Sequence, residues 1–263
     1  FFVLRKLNVE LNTANIISII LAILFAYVVN SKFVFQDKCE TLRDHIRPFC
    51  KFISARLVTM VIEVGGVWLL AAYVGRFLPQ SAAGLLIAAA PWLATGFLHL
   101  DGFMDVCDAV LSRRDLPRRQ EILKDSHCGA FAVISMVLLA LSQWSFAMAR
   151  EELPLLPLLV IPAASRACAA LAVLTLRPMT TSQYAAMTDR KTPYVVFAAL
   201  VMAAAIIVPL ALWGSFAPLA AAVGYWLAVW YADRQLGGMS GDVSGFALTL
   251  GELWGLAVLT LVR

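Results

Sequence analysis

Long apolar runs separated by short polar segments dominate this chain of 263 residues. Eight runs approach or exceed the length needed to cross a bilayer: 13–35, 53–75, 82–100, 130–149, 153–176, 193–213, 216–231 and 243–262. The pattern predicts an all-α, polytopic membrane protein with about eight transmembrane helices. The run 216–231 is short for a span, and Pro157 and Pro162 predict a kink in the fifth helix. No internal repeat and no low-complexity linker interrupts the series.

Composition agrees with a membrane setting. Hydrophobic residues make up 61% of the chain, charged residues only 14%, and mean hydropathy is +0.81. Soluble domains run to roughly 45–50% apolar. Threading the runs alternately across a bilayer puts thirteen lysines and arginines in segments 36–52, 101–129, 177–192 and 232–242. The opposite side has four, Arg5, Lys6, Arg150 and Arg263. This asymmetry places the first set in the cytoplasm. The net charge of +4 therefore belongs to cytoplasmic loops and does not point to nucleic acid. Five cysteines, an odd number without CxxC spacing, argue against a disulfide framework or a zinc site. No cleavable signal peptide is expected, and the opening FFVLRKL reads as the interior of a longer chain.

The chemistry concentrates in ATGFLHLDGFMDVCD, residues 94–108. Asp101, Asp105 and Asp108 are spaced four and then three residues apart, which on a helix sets them within roughly 60° of one another. Three acids without a basic neighbour, entered from an apolar run, predict a divalent cation site rather than a solvated helix end. Hard oxygen donors favour Mg²⁺ or Mn²⁺ over zinc.

Further polar clusters fall in the other cytoplasmic segments. Arg113, Arg114, Arg118, Arg119 and Lys124 read mainly as a membrane anchor. Asp125, before Ser126, is either the cap of the next helix or a fourth metal ligand. Arg166 lies near the middle of a span and is expected to face a phosphate or an acid. In LGGMSGDVSG, Gly241 and Asp242 open the last span, where Asp242 is either a helix cap or a partner of a metal-bound group. His99, beside the acids, is a candidate proton carrier or simply a boundary residue.

Taken together, TGFLHLDGFMDVCDAV, KDSHCGAFAV, SRACAAL, LGGMSGDVSGF and GELWGLAVL resemble the cobalamin synthase family of adenosylcobinamide-GDP ribazoletransferases, over about residues 82–263. The resemblance implies a Mg²⁺-dependent enzyme of the cell (inner) membrane, with its active site facing the cytoplasm. Such an enzyme joins adenosylcobinamide-GDP to α-ribazole or its 5′-phosphate and releases GMP. On this reading Asp101, Asp105, Asp108, Asp125 and Asp242 are metal ligands, and Asp105 or Asp108 takes the proton of the attacking hydroxyl. Arg166, Ser126, Gly241 and His99 contact substrate. The expected partners are the two substrates and the lipid bilayer, with a homo-oligomer allowed and nucleic acid excluded. The chain departs from the family pattern in having Ala109 after Asp108 and His127 after Ser126.

Residues 1–70 instead resemble the later part of the GtrA-like membrane proteins, through VNSKFVF and ARLVTMVIE. This predicts a partial GtrA-like segment over 1–70 and a transferase domain over 71–263. Two rival functions follow. A CDP-alcohol phosphotransferase-like enzyme would place an alanine-arginine pair after the first acids, and FMDVCD lacks that arginine. A GtrA-type flippase or polysaccharide-linked protein would need the N-terminal segment to dominate.

Overall fold

The computed structural model describes residues 77–149, 154–179 and 192–262. The chain divides into two compact units at Gly65/Gly66, and every described residue belongs to the second, Gly66–Arg263. The expected spans 13–35 and 53–75 therefore lie outside the described residues.

Eight helices make up the described part: α1 Gln80–Ala94, α2 Leu98–Leu111, α3 Leu116–Ile122, α4 Ala130–Met148, α5 Leu155–Thr175, α6 Thr192–Trp213, α7 Ala217–Leu236 and α8 Gly241–Leu261. Among the described residues, α4, α8, and the stretches Leu156–Thr175 of α5 and Val195–Trp213 of α6 are long and apolar enough to cross a membrane. The α1–α2 pair is a fifth if its two halves count as one broken span, bent by 88°. Helix α7 has the length, but its aromatic residues and the Asp233–Arg234 end keep it below that apolarity. The all-helical polytopic class holds, with four or five spans rather than a full eight visible in the described residues.

The expected run 82–100 is broken where the sequence offers a helix stop. Thr95 ends α1, and Gly96 and Phe97 both take left-handed backbone, with φ of 59° and 63°. The Phe97 N–H donates to the Trp92 carbonyl at 2.8 Å and the Gly96 N–H to that of Leu93 at 3.1 Å. This is the reverse-turn closure that a glycine just past a helix end permits. Phe97 then starts α2, so the three aspartates sit inside a new helix rather than in a loop after a span. In α5, Pro162 stands inside one continuous helix.

Helix α8 is the centre of the bundle and packs on α7, α2, α5 and α4. Val106 of α2, Tyr225 and Val229 of α7 and Val243 of α8 are fully buried where these helices meet. Phe103 and Phe246 stack across the α2–α8 seam with ring centroids 5.7 Å apart. Helix α6 lies at the edge, turning Val196, Leu200 and Ile207 outward. Apolar side chains on an outward face suit lipid contact.

The α2–α8 crossing is closer than side chains ordinarily allow. A Cβ on Gly102 would lie 2.9 Å from the Asp242 Cα, and one on Gly245 would lie 3.0 Å from the His99 carbonyl oxygen. The Thr249 hydroxyl donates to the same His99 carbonyl at 3.3 Å. Small residues at such a seam let backbones approach, which is how helices associate where apolar burial alone gives no preference. Gly102→Val should therefore push the two helices apart and destabilise the protein by about 1–3 kcal/mol, as overpacking typically does. The check is the thermal midpoint in detergent, and an unchanged midpoint would contradict the tight crossing.

Candidate active site

Helix α2 presents Asp101 exposed and Asp105 and Asp108 half-buried on one face, as their spacing requires. The opposite face of α2, with Phe103, Val106 and Val110, is buried, which fixes the acidic face toward solvent and the α8 terminus. Because Gly102 lies against the Asp242 backbone, the first turn of α8 sits directly beside this acidic face. Asp101, Asp108 and Asp242 all lie within electrostatic range of Asp105. Four carboxylates from two helices thus share one region.

Asp242 is not the cap of its helix. Ser240 occupies that place, and its Oγ accepts from the Val243 N–H at 3.2 Å. The loop before it is tied down by two backbone bonds of 2.9 Å each, from Met179 N–H to the Met239 carbonyl and from Met239 N–H to that of Arg177. Gly241, the first residue of α8, is exposed beside Asp242.

The segment after α3 approaches from the Asp108 end. Gly129 lies so close to the Asp108 carboxylate that any side chain there would collide with it. Gly129 is also the N-cap of α4 and makes no side-chain cap, so the helix-cap reading of Asp125 is not what the fold uses. Asp125 and Ser126 are exposed. Asp125 accepts from the His127 backbone N–H at 3.0 Å, and its Oδ1 lies 2.6 Å from the imidazole Nδ1. That side-chain hydrogen bond holds Asp125 below the usual carboxylate range and His127 above its ordinary value.

The basic loop divides by role. Arg119 reaches the Gln235 carbonyl at 3.2 Å and also its side chain, and Gln120 bonds the Leu236 carbonyl at 2.8 Å, pinning α3 to the end of α7. Arg118 pairs with Glu121 on the surface. Arg113, Arg114 and Lys124 are exposed.

Arg166 does face an acid, as its position in the span predicts. Its Nη1 bonds Glu252 Oε1 of α8 at 2.9 Å, and Ser165 Oγ is 3.3 Å from the same oxygen. Glu252 was missed in the sequence reading, although an isolated acid inside the apolar GELWGLAVL run is itself a signal. His99, the second residue of α2, is half-buried and close enough to Arg166 for their charges to interact. Arg166 and His99 therefore form a deeper group, separate from Asp125 and Ser126 at the surface.

The donor chemistry suits a hard divalent cation: four carboxylates, no lysine or arginine on α2, and glycines where Cβ atoms would crowd Asp108 and Asp242. Among the described residues no three of the acid, histidine or cysteine side chains are already drawn together as a closed ligand set. Like charges without a counter-ion are expected to stand apart in this way.

Helices that are apolar around most of their circumference, enclosing a half-buried acidic face, define a polytopic membrane enzyme. The cobalamin-5-phosphate synthase family model matches residues 51–260, and the chain belongs to that family. It is 32% identical to the adenosylcobinamide-GDP ribazoletransferase of Clostridium perfringens strain 13, over 91% of this chain and 95% of that protein. The enzymes of the same name from Clostridium botulinum strain Alaska E43 and Geobacillus kaustophilus are each 37% identical, over 73% and 68% of this chain and 80% and 72% of theirs. Residues 1–98 also match the GtrA/DPMS transmembrane domain. The two family matches overlap over 51–98, so similarity alone draws no boundary at residue 70. No solved structure matches the chain.

The Asp125–His127 contact gives a direct titration test. In metal-free buffer His127 should titrate above an ordinary histidine, and the pair should persist from the lowered Asp125 value up to the raised His127 value. Asp125→Asn should return the His127 midpoint downward, read by NMR of labelled histidine with His127→Asn as the assignment control. A midpoint indifferent to Asp125→Asn would rule the contact out.

Proposed function

We propose that this chain is a Mg²⁺-dependent adenosylcobinamide-GDP ribazoletransferase of the cell inner membrane, with its site open to the cytoplasm. The observation that carries the reading is the α2–α8 crossing, which sets Asp242 beside Asp101, Asp105 and Asp108. The names of its relatives supply the substrates. Asp101, Asp108 and Asp242 would hold Mg²⁺, with Asp125 joining from the segment that Gly129 brings against Asp108. Held there, Mg²⁺ would supply positive charge against the phosphate oxygens.

The acceptor hydroxyl attacks the corrinoid-side phosphorus of the GDP diphosphate. The bond from that phosphorus to the bridging oxygen breaks, and GMP leaves with the electron pair. Asp105 accepts the hydroxyl proton, because a proton placed between flanking carboxylates relieves their mutual repulsion. Asp108 remains the alternative base. Gly241 and Ser126, both exposed, would contact substrate, and the exposed Arg113, Arg114 and Lys124 would offer charge to the nucleotide phosphates. The exposed apolar face of α6 accounts for the lipid partner. We further propose the transferase unit as 71–263, a reading supported by the division of the chain at Gly65/Gly66.

Asp101→Asn, Asp105→Asn and Asp108→Asn should each lower kcat/KM by roughly a hundredfold or more, the scale of removing one preorganised electrostatic contact. Membrane insertion and the elution profile in detergent should stay unchanged. Near wild-type turnover in all three at limiting Mg²⁺ would refute the assignment. Independently of activity, Mg²⁺ should draw Asp125 from His127 and lower the His127 midpoint, and EDTA should restore it.

Orientation is tested by labelling single cysteines in a background without native cysteine. Ser112→Cys, after the acidic helix, should react from the cytoplasmic side, and Ser215→Cys, in the turn between α6 and α7, from the opposite side. Equal sidedness of the two would overturn the threading.

A further inference from the structure

The exposed residues of α7 are Leu219, Val223, Leu227, Trp230, Tyr231 and Arg234. Apart from Tyr231 they recur at intervals of four, four, three and four residues, within about 80° on one face. The rest of the helix is buried or half-buried, chiefly toward α8 and α5. Arg234 is the one exposed charge on α7, since Asp233 is half-buried.

Helix α7 falls short of the apolarity of the four long spans, but Tyr225 and Gln235, which lower its average, lie off this stripe. From Phe216, the exposed N-cap, to Arg234 the helix rises roughly 27 Å, close to the roughly 30 Å of bilayer hydrocarbon. Apolar side chains over that length, then Trp230 and Tyr231, then a cation, follow the order in which hydrocarbon gives way to headgroups.

The Arg234 end is preorganised. Its guanidinium carbon lies 4.3 Å from the centroid of the Trp230 ring. Resting on the ring supports the guanidinium and leaves its N–H edges to an acceptor. Among the described residues none accepts from those N–H groups. Helix α3 does not cover them, because Arg119 and Gln120 hold it to Gln235 and Leu236, about 100° and 200° round the helix from Arg234.

We infer that Arg234, stacked on Trp230, is a headgroup site for an anionic phospholipid whose acyl chains run along Leu227, Val223 and Leu219. Charge complementarity names the occupant. A cation without a protein partner, at the end of an apolar stripe of bilayer length, meets the phosphate of a lipid lying on that stripe. A planar guanidinium also matches two phosphate oxygens at once. The proposed threading puts this end in the cytoplasmic leaflet, whose surface is negative. The inference needs only the membrane setting and is independent of the transferase reaction.

The test titrates the full chain in detergent with phosphatidylglycerol or phosphatidylcholine of the same acyl chains, counting bound lipid by native mass spectrometry. Wild type should bind phosphatidylglycerol more tightly. Arg234→Gln should weaken that binding about fivefold, the scale of one basic residue at an anionic membrane surface, and change phosphatidylcholine binding less. Trp230→Leu keeps every charge, yet should also weaken phosphatidylglycerol binding, because the guanidinium loses its support. Arg234→Lys keeps the charge without the planar fork, so it should fall between, and it covers the case in which Arg234→Gln does not fold. Equal affinity of the wild type for both lipids overturns the proposal, as does binding unmoved by either Arg234 variant. Equal weakening by Arg118→Gln would mark a diffuse basic surface and overturn the site. A dimer mass that Arg234→Gln abolishes, without any lipid preference, would assign the stripe to a second copy of the chain instead.

Discussion

The backbone contact between α2 and α8 is the constraint on which the rest depends. Two glycines, Gly102 and Gly245, let the helices touch without intervening side chains, and Thr249 ties α8 to the His99 carbonyl. Everything chemical follows from that approach. Asp242 reaches the acidic face of α2 because its own backbone lies against Gly102. The same contact puts the start of α2 beside Arg166, since Glu252 stands one turn further along α8 than Thr249. In a lipid environment apolar area cannot choose one helix pairing over another, so close packing and interhelical hydrogen bonds must do so.

Charge is the second organising principle. Burying an ion without a partner costs several kcal/mol, and the bundle meets this cost differently at its two poles. The inner pole is compensated within the protein, Arg166 against Glu252 with Ser165 alongside. The outer pole has no lysine or arginine on its own helix, and its carboxylates stay partly accessible. Charges left open to solvent avoid the cost of burial, while the ion pair inside the bundle holds the packing of α5 against α8. The arginines of α3 belong to neither pole: Arg119 serves as a tie to α7.

Much of this was legible in the sequence. The 4–3 spacing of Asp101, Asp105 and Asp108 specifies one helical face, and the structure provides that helix. That Arg166 needs an acid partner follows from the cost of an unpaired guanidinium in a span, but the sequence does not say which acid, because Glu252 is a single charge inside an apolar run on a distant helix. The break before α2 was readable in principle. Thr95–Gly96 interrupts an otherwise apolar run, yet hydropathy averages across a single glycine and carries the span through it. Capping was the least legible feature. Ser240 and Asp242 are both good cap residues two positions apart, and only the start of the helix decides which one caps and which is released to the site. Asp125 posed the same ambiguity, and there Gly129 takes the cap position.

Such a division of labour along α8 explains why one helix can serve packing, charge and recognition together. Its small residues face α2 where the backbones must meet, and its ionisable residues fall one step before and one step after that contact. Moving either acid by a single residue would rotate it by about 100°, away from α2 and α5 and toward α7 or lipid. The register of α8 is therefore as much a part of the site as the side chains themselves. That register is held at one end by Ser240 and the Met179–Met239 bonds, and at the other by Arg166 through Glu252. Fixing a helix at both ends of its polar face keeps Asp242 and Glu252 at a constant separation along α8.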